Sequence, residues 1–406
     1  MGRSILWFVL LFLNVHLDYL RTFELFNAIN DFSRITSFAV ILLMYIMNKR
    51  LTKLTLCLLI YISMQIVLTL IGHGDFYLLL NYQLYIVNYV ILAELMIEKD
   101  ARTALCVILF LFEILIYINL FTIIAFPNGL YYNTGRVMGS SRHAWFLGDD
   151  GQHIDYFLIA TIVALLMLRY GNTFFTKVRS CLLIVACIFS TVAGSMATGI
   201  VTMLTVIVVF FLMCWINKLE KMLTAKNVLF VSLAVNVLIV IFRMQERFSS
   251  FFEVYLERDV TFTGRTRIWD IVLYYIYRNP ILGNGFGNSA FLRETVGSIH
   301  AWESHNQLLQ FTFEGGLFFL SLVIVYLFTI ARKIDRRKDY YSIVGVSIFA
   351  GIMVTCLTRS PFTGTMVLFM VIPILCGFDH LRIQNTYIDA EMKQQNLFRK
   401  KRRSIY

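Results

Sequence analysis

The sequence predicts an all-α, polytopic membrane protein with about twelve transmembrane helices and a large outer loop that contains short amphipathic helices. Apolar residues make up 58% of the 406 positions and charged residues only 15%, which is too few to cover a water-facing surface. The chain has four prolines, and its apolar residues form long runs. Because backbone groups in lipid must be satisfied within their own segment, such runs favour helices.

Twelve apolar runs are candidates for membrane spans. No small-residue cleavage site follows the first run, so we expect it to be retained as a helix and not removed as a signal peptide. Span lengths follow from the thickness of the hydrocarbon core. The predicted spans are residues 4–20, 35–47, 54–71, 76–97, 103–125, 154–170, 178–193, 198–217, 227–243, 306–330, 341–358 and 362–378.

Basic residues in the turns between spans predict the orientation. Alternate turns each carry at least two Lys or Arg, which places these turns and both termini in the cytoplasm. All twelve lysines then lie on the cytoplasmic side, while the outer side has twelve arginines and no lysine. Since an arginine binds phosphate oxygens bidentately and keeps its proton, this pattern favours a phosphate or diphosphate ligand. General arginine usage and contact with lipid headgroups are the alternatives.

The chain divides into a membrane domain, residues 1–378, and a basic cytoplasmic tail, residues 379–406. The tail is expected to contact anionic lipid headgroups. Two outer loops, at about 127–153 and 244–305, exceed the length of a turn, which favours a functional role. The net charge of +11 is spread over short turns, so nucleic acid is not an expected partner.

The longer outer loop contains the candidate chemistry. Apolar residues at helical spacing predict an amphipathic helix over Ile268 to Tyr277, ended by Asn279-Pro280. His305 follows where the chain re-enters the membrane, beside Asn306 and close to Glu303. A histidine at a water-facing mouth can act as a general base near neutral pH. A histidine that starts a helix or contacts a headgroup is the alternative.

Several short motifs occur in order along this loop and the following span: Gly264-Arg265, Trp269, Asn279 to Gly285, His305-Asn306 and Glu314-Gly315-Gly316. Their order resembles the C-terminal signature of the superfamily of O-antigen ligases and Wzy-type polysaccharide polymerases. The resemblance covers about fifty residues closely, and the other spans match it only in number and hydropathy.

The resemblance implies an inverting membrane glycosyltransferase that acts without cofactor, nucleotide sugar or metal. Such a protein would polymerise undecaprenyl-diphosphate-linked oligosaccharide repeat units into capsular, exo- or O-antigen polysaccharide. It would lie in the bacterial cytoplasmic membrane with its active site on the outer, periplasmic face. Its partners would be a lipid-linked donor and acceptor, the bilayer and a chain-length regulator. An O-antigen ligase that transfers glycan to lipid A core, and a transporter or flippase of the lipid-linked glycan, are the alternatives.

The resemblance also implies site residues. Arg265 would contact the donor diphosphate and His305 would activate the acceptor hydroxyl, as the catalytic pair. The other expected contacts with diphosphate or glycan are Arg136, Arg142, Arg267, Arg359, Glu303 and Asn306. The sequence departs from the family pattern at residues 148–151, where a Pro-Asn pair is usual, and at residues 194–199, which lack an arginine.

Four further carboxylates remain open as alternatives. Asp149, Asp150 and Asp155, like Glu303, are alternative bases, although a solvated loop carboxylate is the simpler interpretation of each. Glu113 falls near the middle of a predicted span, where an ionised carboxylate needs a cavity or a partner. Its role is either functional or confined to helix packing.

Overall fold

The computed structural model describes residues 2–48, 50–132, 143–149, 151–171, 173–216, 221–244, 265–297, 303–337, 339–363 and 366–377. Helices dominate these ranges, so the predicted fold class is confirmed. The helices are α1 (Gly2–Asn14), α2 (Glu24–Asn48), α3 (Lys53–Ile71), α4 (Phe76–Ala125), α5 (His153–Tyr170), α6 (Phe174–Ala193), α7 (Ala197–Trp215), α8 (Ala225–Val240), α9 (Arg265–Arg278), α10 (Ser289–Val296), α11 (Gln307–Asp335), α12 (Tyr340–Thr358) and α13 (Val371–Cys376). A 3₁₀-helix, Val367–Met370, leads into α13.

Eight of these helices are long and apolar enough to cross a membrane. One of them, α4, joins two predicted spans, because its backbone stays helical except at Asp100 (φ −162°, ψ 88°). Counting its halves separately and adding the three shorter apolar helices at Gly2–Asn14, Ala225–Val240 and Val367–Cys376 accounts for the predicted twelve.

Two predicted boundaries were wrong. The first helix ends at Asn14 and not near residue 20. The Asn14 side chain donates to the Leu10 carbonyl (2.7 Å) and accepts from Asn88 (2.6 Å), which fixes the end of the helix against α4. The second helix begins at Glu24, well before predicted residue 35. The prediction was late because polar residues in the first turns lower the hydropathy of this helix.

Burial separates central helices from peripheral ones. The most apolar stretch of α5 is 83% buried and that of α12 is 72% buried, whereas α2 has only 17% and α3 and α7 each have 28%. The peripheral helices therefore turn large apolar side chains outward, as expected of surfaces covered by lipid.

The carboxylate of Glu113 has a partner inside the helix bundle. Arg179 of α6 donates through Nε to Glu113 Oε1 (3.0 Å) and through Nη2 to Glu113 Oε2. This bidentate ion pair gives Glu113 the partner that its position requires. It joins α4 to α6, so the packing interpretation of Glu113 accounts for the contacts seen.

α11 is broken at Gly316, whose φ of +66° and ψ of −173° are essentially restricted to glycine. Residues 279–287, here called the glycine turn, fill this break. The Gly285 amide donates to the Glu314 carbonyl (2.8 Å), and the Leu317 amide donates to a carbonyl of the turn (2.8 Å). Backbone groups that the break would leave unpaired are therefore satisfied by another segment.

The glycine turn also contacts the connection between α3 and α4. A Cβ atom at Gly72 would lie 2.4 Å from the Gly285 nitrogen, and one at Gly283 would lie 2.5 Å from the Glu314 carbonyl oxygen. Backbone therefore lies directly against backbone at this junction, which requires glycine. The junction fixes the start of α11 relative to α3 and α4.

Candidate active site

His305 lies in the short loop that leads into α11. Its φ of +53° places it in the left-handed region. The preceding residue, Ser304, is held by three hydrogen bonds: its amide donates to Gln310 Oε1, its hydroxyl donates to the Asn306 carbonyl and its carbonyl accepts from Trp269 Nε1, each at 2.8 Å. The loop that presents His305 is thus fixed from α9 and from within α11.

Asn306 caps α11. Its side-chain oxygen accepts from the Leu309 amide (3.0 Å), as an N-cap residue does. Its Nδ2 donates to the Leu357 carbonyl (3.3 Å) near the end of α12. The side chain is fully buried and joins two helices at the site. A contact between Asn306 and substrate stays a prediction.

Glu303 pairs with His305. The Oε1 atom of Glu303 lies 3.3 Å from His305 Nδ1. Burial alone would raise the pKa of Glu303, but contact with His305, the charge of Arg359 and the Ser360 amide together lower it below its usual range. Where the ionised carboxylate of Glu303 accepts a hydrogen bond from Nδ1–H, Nε2 is the ring nitrogen that can accept a proton from another group.

Arg359, directly after α12, is placed between two carboxylates. Its Nη1 donates to Asp155 Oδ1 of α5 (3.3 Å), and its charge acts on Glu303. The Asp155 side chain is fully buried and that of Arg359 is 11% exposed. A Cβ at Gly151 would lie 3.1 Å from Arg359 Nε, so glycine leaves room for the guanidinium.

Helix α9 brings Arg265 towards the same loop. Its buried face, which includes Trp269, packs against Leu309 and other residues of α8 and α11. Arg265 lies one helical turn before Trp269 and so lies on the same face of α9. The Trp269 side chain on that face donates a hydrogen bond to the Ser304 carbonyl. Arg267 is exposed, and its two-residue offset from Trp269 turns it away from that face. A contact of either arginine with substrate stays a prediction.

Arg136, Arg142 and Asp150 fall outside the described residues. Strands β1 (Tyr131–Tyr132) and β2 (His143–Trp145) pair antiparallel, with Tyr132 opposite His143. A third strand, β3 (Gly148–Asp149), pairs with β2 and leads into α5.

Two polar side chains outside the predicted site, Asp18 and His16, lie next to the strand that leads into α5. Asp149 is buried beside α5, and a Cβ at Gly148 would lie 2.8 Å from Asp18 Oδ2. Asp18 in turn lies 2.7 Å from His16 Nε2. His16 and Asp18 directly follow the first apolar run, and this polar pair was the only signal in the sequence that could have identified them.

An apolar cavity begins beside the His305 loop. It lies between α3, α8, α11, α12 and residues 362 and 368–375, and its lining is almost entirely apolar. Its lining includes Gln307, Leu308 and Phe311 before the break in α11, and Val323, Tyr326, Leu327 and Ile330 after it. Gln307 Oε1 accepts from the Phe362 amide (2.8 Å), while its buried Nε2 has no hydrogen-bond partner in the described ranges. Gln307 thus places a polar amide in the wall of an otherwise largely apolar cavity.

Part of the chain matches a known protein family. A family model described as O-antigen ligase matches residues 180–324. The resemblance to the O-antigen ligase family is confirmed. The O-antigen ligase match contains α9, the glycine turn, the His305 loop and the break in α11, while Arg359 lies beyond it. None of the curated proteins compared with this chain matches it.

The family match supports membrane glycosyl transfer with lipid-linked glycans as the class of substrate. The chain is accordingly a multi-pass membrane protein related to enzymes of polysaccharide biosynthesis.

Proposed function

We propose that this protein is an inverting polysaccharide polymerase that joins undecaprenyl-diphosphate-linked repeat units on the outer face of the bacterial cytoplasmic membrane. The observation that carries the proposal is the His305–Glu303 pair beside Arg359, at the start of an apolar cavity. An oriented base, arginines and an apolar cavity are the features that transfer from a lipid diphosphate requires.

The reaction follows from these groups. An acceptor hydroxyl oxygen attacks the anomeric carbon on the face opposite the diphosphate, so a new glycosidic bond forms as the bond to the diphosphate oxygen breaks. His305 Nε2 takes the hydroxyl proton, and Glu303 holds the ring through Nδ1. The lipid diphosphate leaves with the bonding electron pair, and Arg265 and Arg359 stabilise its charge.

The apolar cavity supplies the place for the lipid. Side chains from both parts of α11, before and after the break at Gly316, line it. A polyprenyl chain in this cavity would bring its diphosphate towards Gln307, whose unpartnered Nε2 can donate to a phosphate oxygen.

The test uses purified protein in nanodiscs with an undecaprenyl-diphosphate repeat unit. Wild type should produce a ladder of longer lipid-linked glycans. His305→Ala should lower the rate by about 10²–10⁴-fold, as expected for a lost general base. Arg265→Ala should lower it by about 10²–10³-fold, as expected for a lost group that stabilises developing charge. Arg278→Ala is the matched control, because Arg278 is exposed at the other end of α9 and stacks on Tyr274.

A ligase is the second candidate, favoured by the description of the matching family. The same assay with lipid A core as the acceptor separates the two functions. A single transfer to that core without a ladder would make the protein a ligase. Movement of an unextended substrate across a vesicle membrane would replace both with a transporter. Full activity of His305→Ala and Arg265→Ala would overturn the site assignment.

A further inference from the structure

A buried chain of side chains leads from inside α11 to the loop that carries His305. Glu314 is 5% exposed, and its Oε1 accepts from Gln310 Nε2 (2.8 Å). Gln310 Oε1 in turn accepts from the Ser304 amide (2.8 Å). Glu314 and Gln310 are four residues apart and so share one face of the helix. The backbone next to His305 is thus hydrogen-bonded, through one glutamine, to a carboxyl group inside the protein.

The backbone of His305 depends on such contacts. A non-glycine residue at a φ of +53° is strained and persists only where the surroundings hold it. The Ser304 amide is bonded to Gln310, and the Ser304 carbonyl is bonded to Trp269. The first bond holds the peptide between Glu303 and Ser304, and the second holds the peptide between Ser304 and His305. Loss of either bond frees backbone that sets the direction of the imidazole.

The burial of the Glu314 carboxyl group also costs folding free energy. Its Oε2 is buried and has no hydrogen-bond partner within the part of the chain that the structure describes. An apolar side chain would avoid that cost, and a carboxyl group within a spanning helix is by default a candidate for function.

We propose that Glu314, acting through Gln310, is a positioning residue that holds the His305 loop in its active geometry. The proposal rests on the proposed function, in which His305 is the base. Glu314 supplies an acceptor that orients the Gln310 amide, and the oriented amide oxygen fixes the Ser304 amide.

Four variants separate this role from general packing. Glu314→Leu removes the acceptor, whereas Glu314→Gln keeps a carbonyl oxygen that can accept from Gln310. Gln310→Glu places two carboxyl groups together, and the double variant Gln310→Glu/Glu314→Gln rebuilds the chain with the two groups exchanged. Thr202→Val is the matched control, because it removes a fully buried hydrogen bond to Thr355 (3.1 Å) between α7 and α12.

Two measurements are made on each variant in nanodiscs. In the glycan-transfer assay, Glu314→Leu and Gln310→Glu should lower kcat by about 100-fold at nearly unchanged KM, since a small misplacement of a catalytic group costs about that much. Glu314→Gln, the double variant and Thr202→Val should stay within about threefold of wild type. In hydrogen exchange followed by mass spectrometry, the peptide covering residues 303–309 should exchange faster only in the two impaired variants.

Three results would overturn the positioning role. Glu314→Gln could be as inactive as Glu314→Leu, which would mean that the carboxyl group itself transfers a proton. Glu314→Leu could retain wild-type kcat and exchange, which would show that the chain does not hold the loop. The double variant could fail to recover. If wild type transfers no glycan, the proposed function fails, and the exchange measurement still decides whether Glu314 holds the loop.

Discussion

His305 is fixed by one set of neighbours through its ring and by another through its backbone. The ring is paired with Glu303, and the charge of Arg359 links that pair to Asp155 of α5. The sequence predicted His305, Glu303 and Arg359 as site residues. It did not predict that Asp155 pairs with Arg359, because 204 positions separate the two residues and no local pattern reports such a contact. Asp155 had been considered as a base, and its ion pair with Arg359 gives it an electrostatic role.

The lowered pKa of Glu303 predicts a pH dependence of stability. Because its folded pKa is below the ordinary value of about 4.3, ionised Glu303 stabilises the fold above that value. This contribution is lost as the pH falls through the folded pKa. Melting temperatures of wild type should therefore decrease as the pH falls below the ordinary pKa of a glutamate, and those of Glu303→Gln should decrease less. Equal decreases in both proteins would contradict the assignment.

The ion pair between Arg359 and Asp155 predicts a large effect of breaking it. Arg359→Ala leaves the buried Asp155 without this cation and should destabilise the protein by about 3–5 kcal/mol. The double variant Arg359→Met/Asp155→Leu should recover most of that loss, since it removes both charges, but should not recover glycan transfer. Thermal unfolding in detergent and the ladder assay measure the two effects. Recovery of transfer in the double variant would remove Arg359 from the site.

At the scale of elements, the break in α11 is the feature that hydropathy could not report. The sequence predicted a continuous span over residues 306–330, because an apolar run carries no information on φ. The Gly315-Gly316 pair and the glycines of residues 283–287 were visible, but their contact was not, since it joins segments about thirty residues apart. Local signals served better for the end of α9, since Asn279-Pro280 predicted an end at Tyr277 and the helix ends one residue later, at Arg278.

Glycine substitutions should separate backbone strain from close packing. Gly297→Ala introduces a Cβ at a φ of +63° in open space and should cost about 1–2 kcal/mol. Gly316→Ala has a similar φ of +66°, but its Cβ would lie 2.1 Å from the Ile281 carbonyl oxygen. It should therefore destabilise the protein more than Gly297→Ala and also lower glycan transfer. Thermal unfolding of both variants tests this. Equal losses of stability would mean that the glycine turn moves aside for the new Cβ at little cost in free energy.

At the scale of the whole molecule, composition was enough to predict the fold class, because lipid imposes the same demand on each spanning segment. The apolar cavity could not be predicted in this way. A side chain that faces lipid and one that faces an internal cavity are equally apolar, so only the packing of α3, α8, α11 and α12 distinguishes them.

Two tryptophan substitutions on one helix test the cavity. Leu327 of α11 lines it, while Val325, two residues earlier, is 63% exposed on the outside. Leu327→Trp should raise KM for the lipid-linked substrate by at least about tenfold, because it fills space needed by the lipid. Val325→Trp should behave as wild type. If the two variants have the same kinetics, the lipid of the substrate binds elsewhere.

The junction of glycines also sets an order of assembly. A ribosome completes the connection at Gly72 long before it reaches Gly283 and Gly285, whose backbone covers that connection in the finished protein. The hairpin of α3 and α4 must therefore wait, its backbone surface uncovered, until the segment that matches the ligase family has been synthesised. A chain released before residue 283 would leave the backbone at Gly72 uncovered. The junction therefore forms late in synthesis, and it also supports the active site.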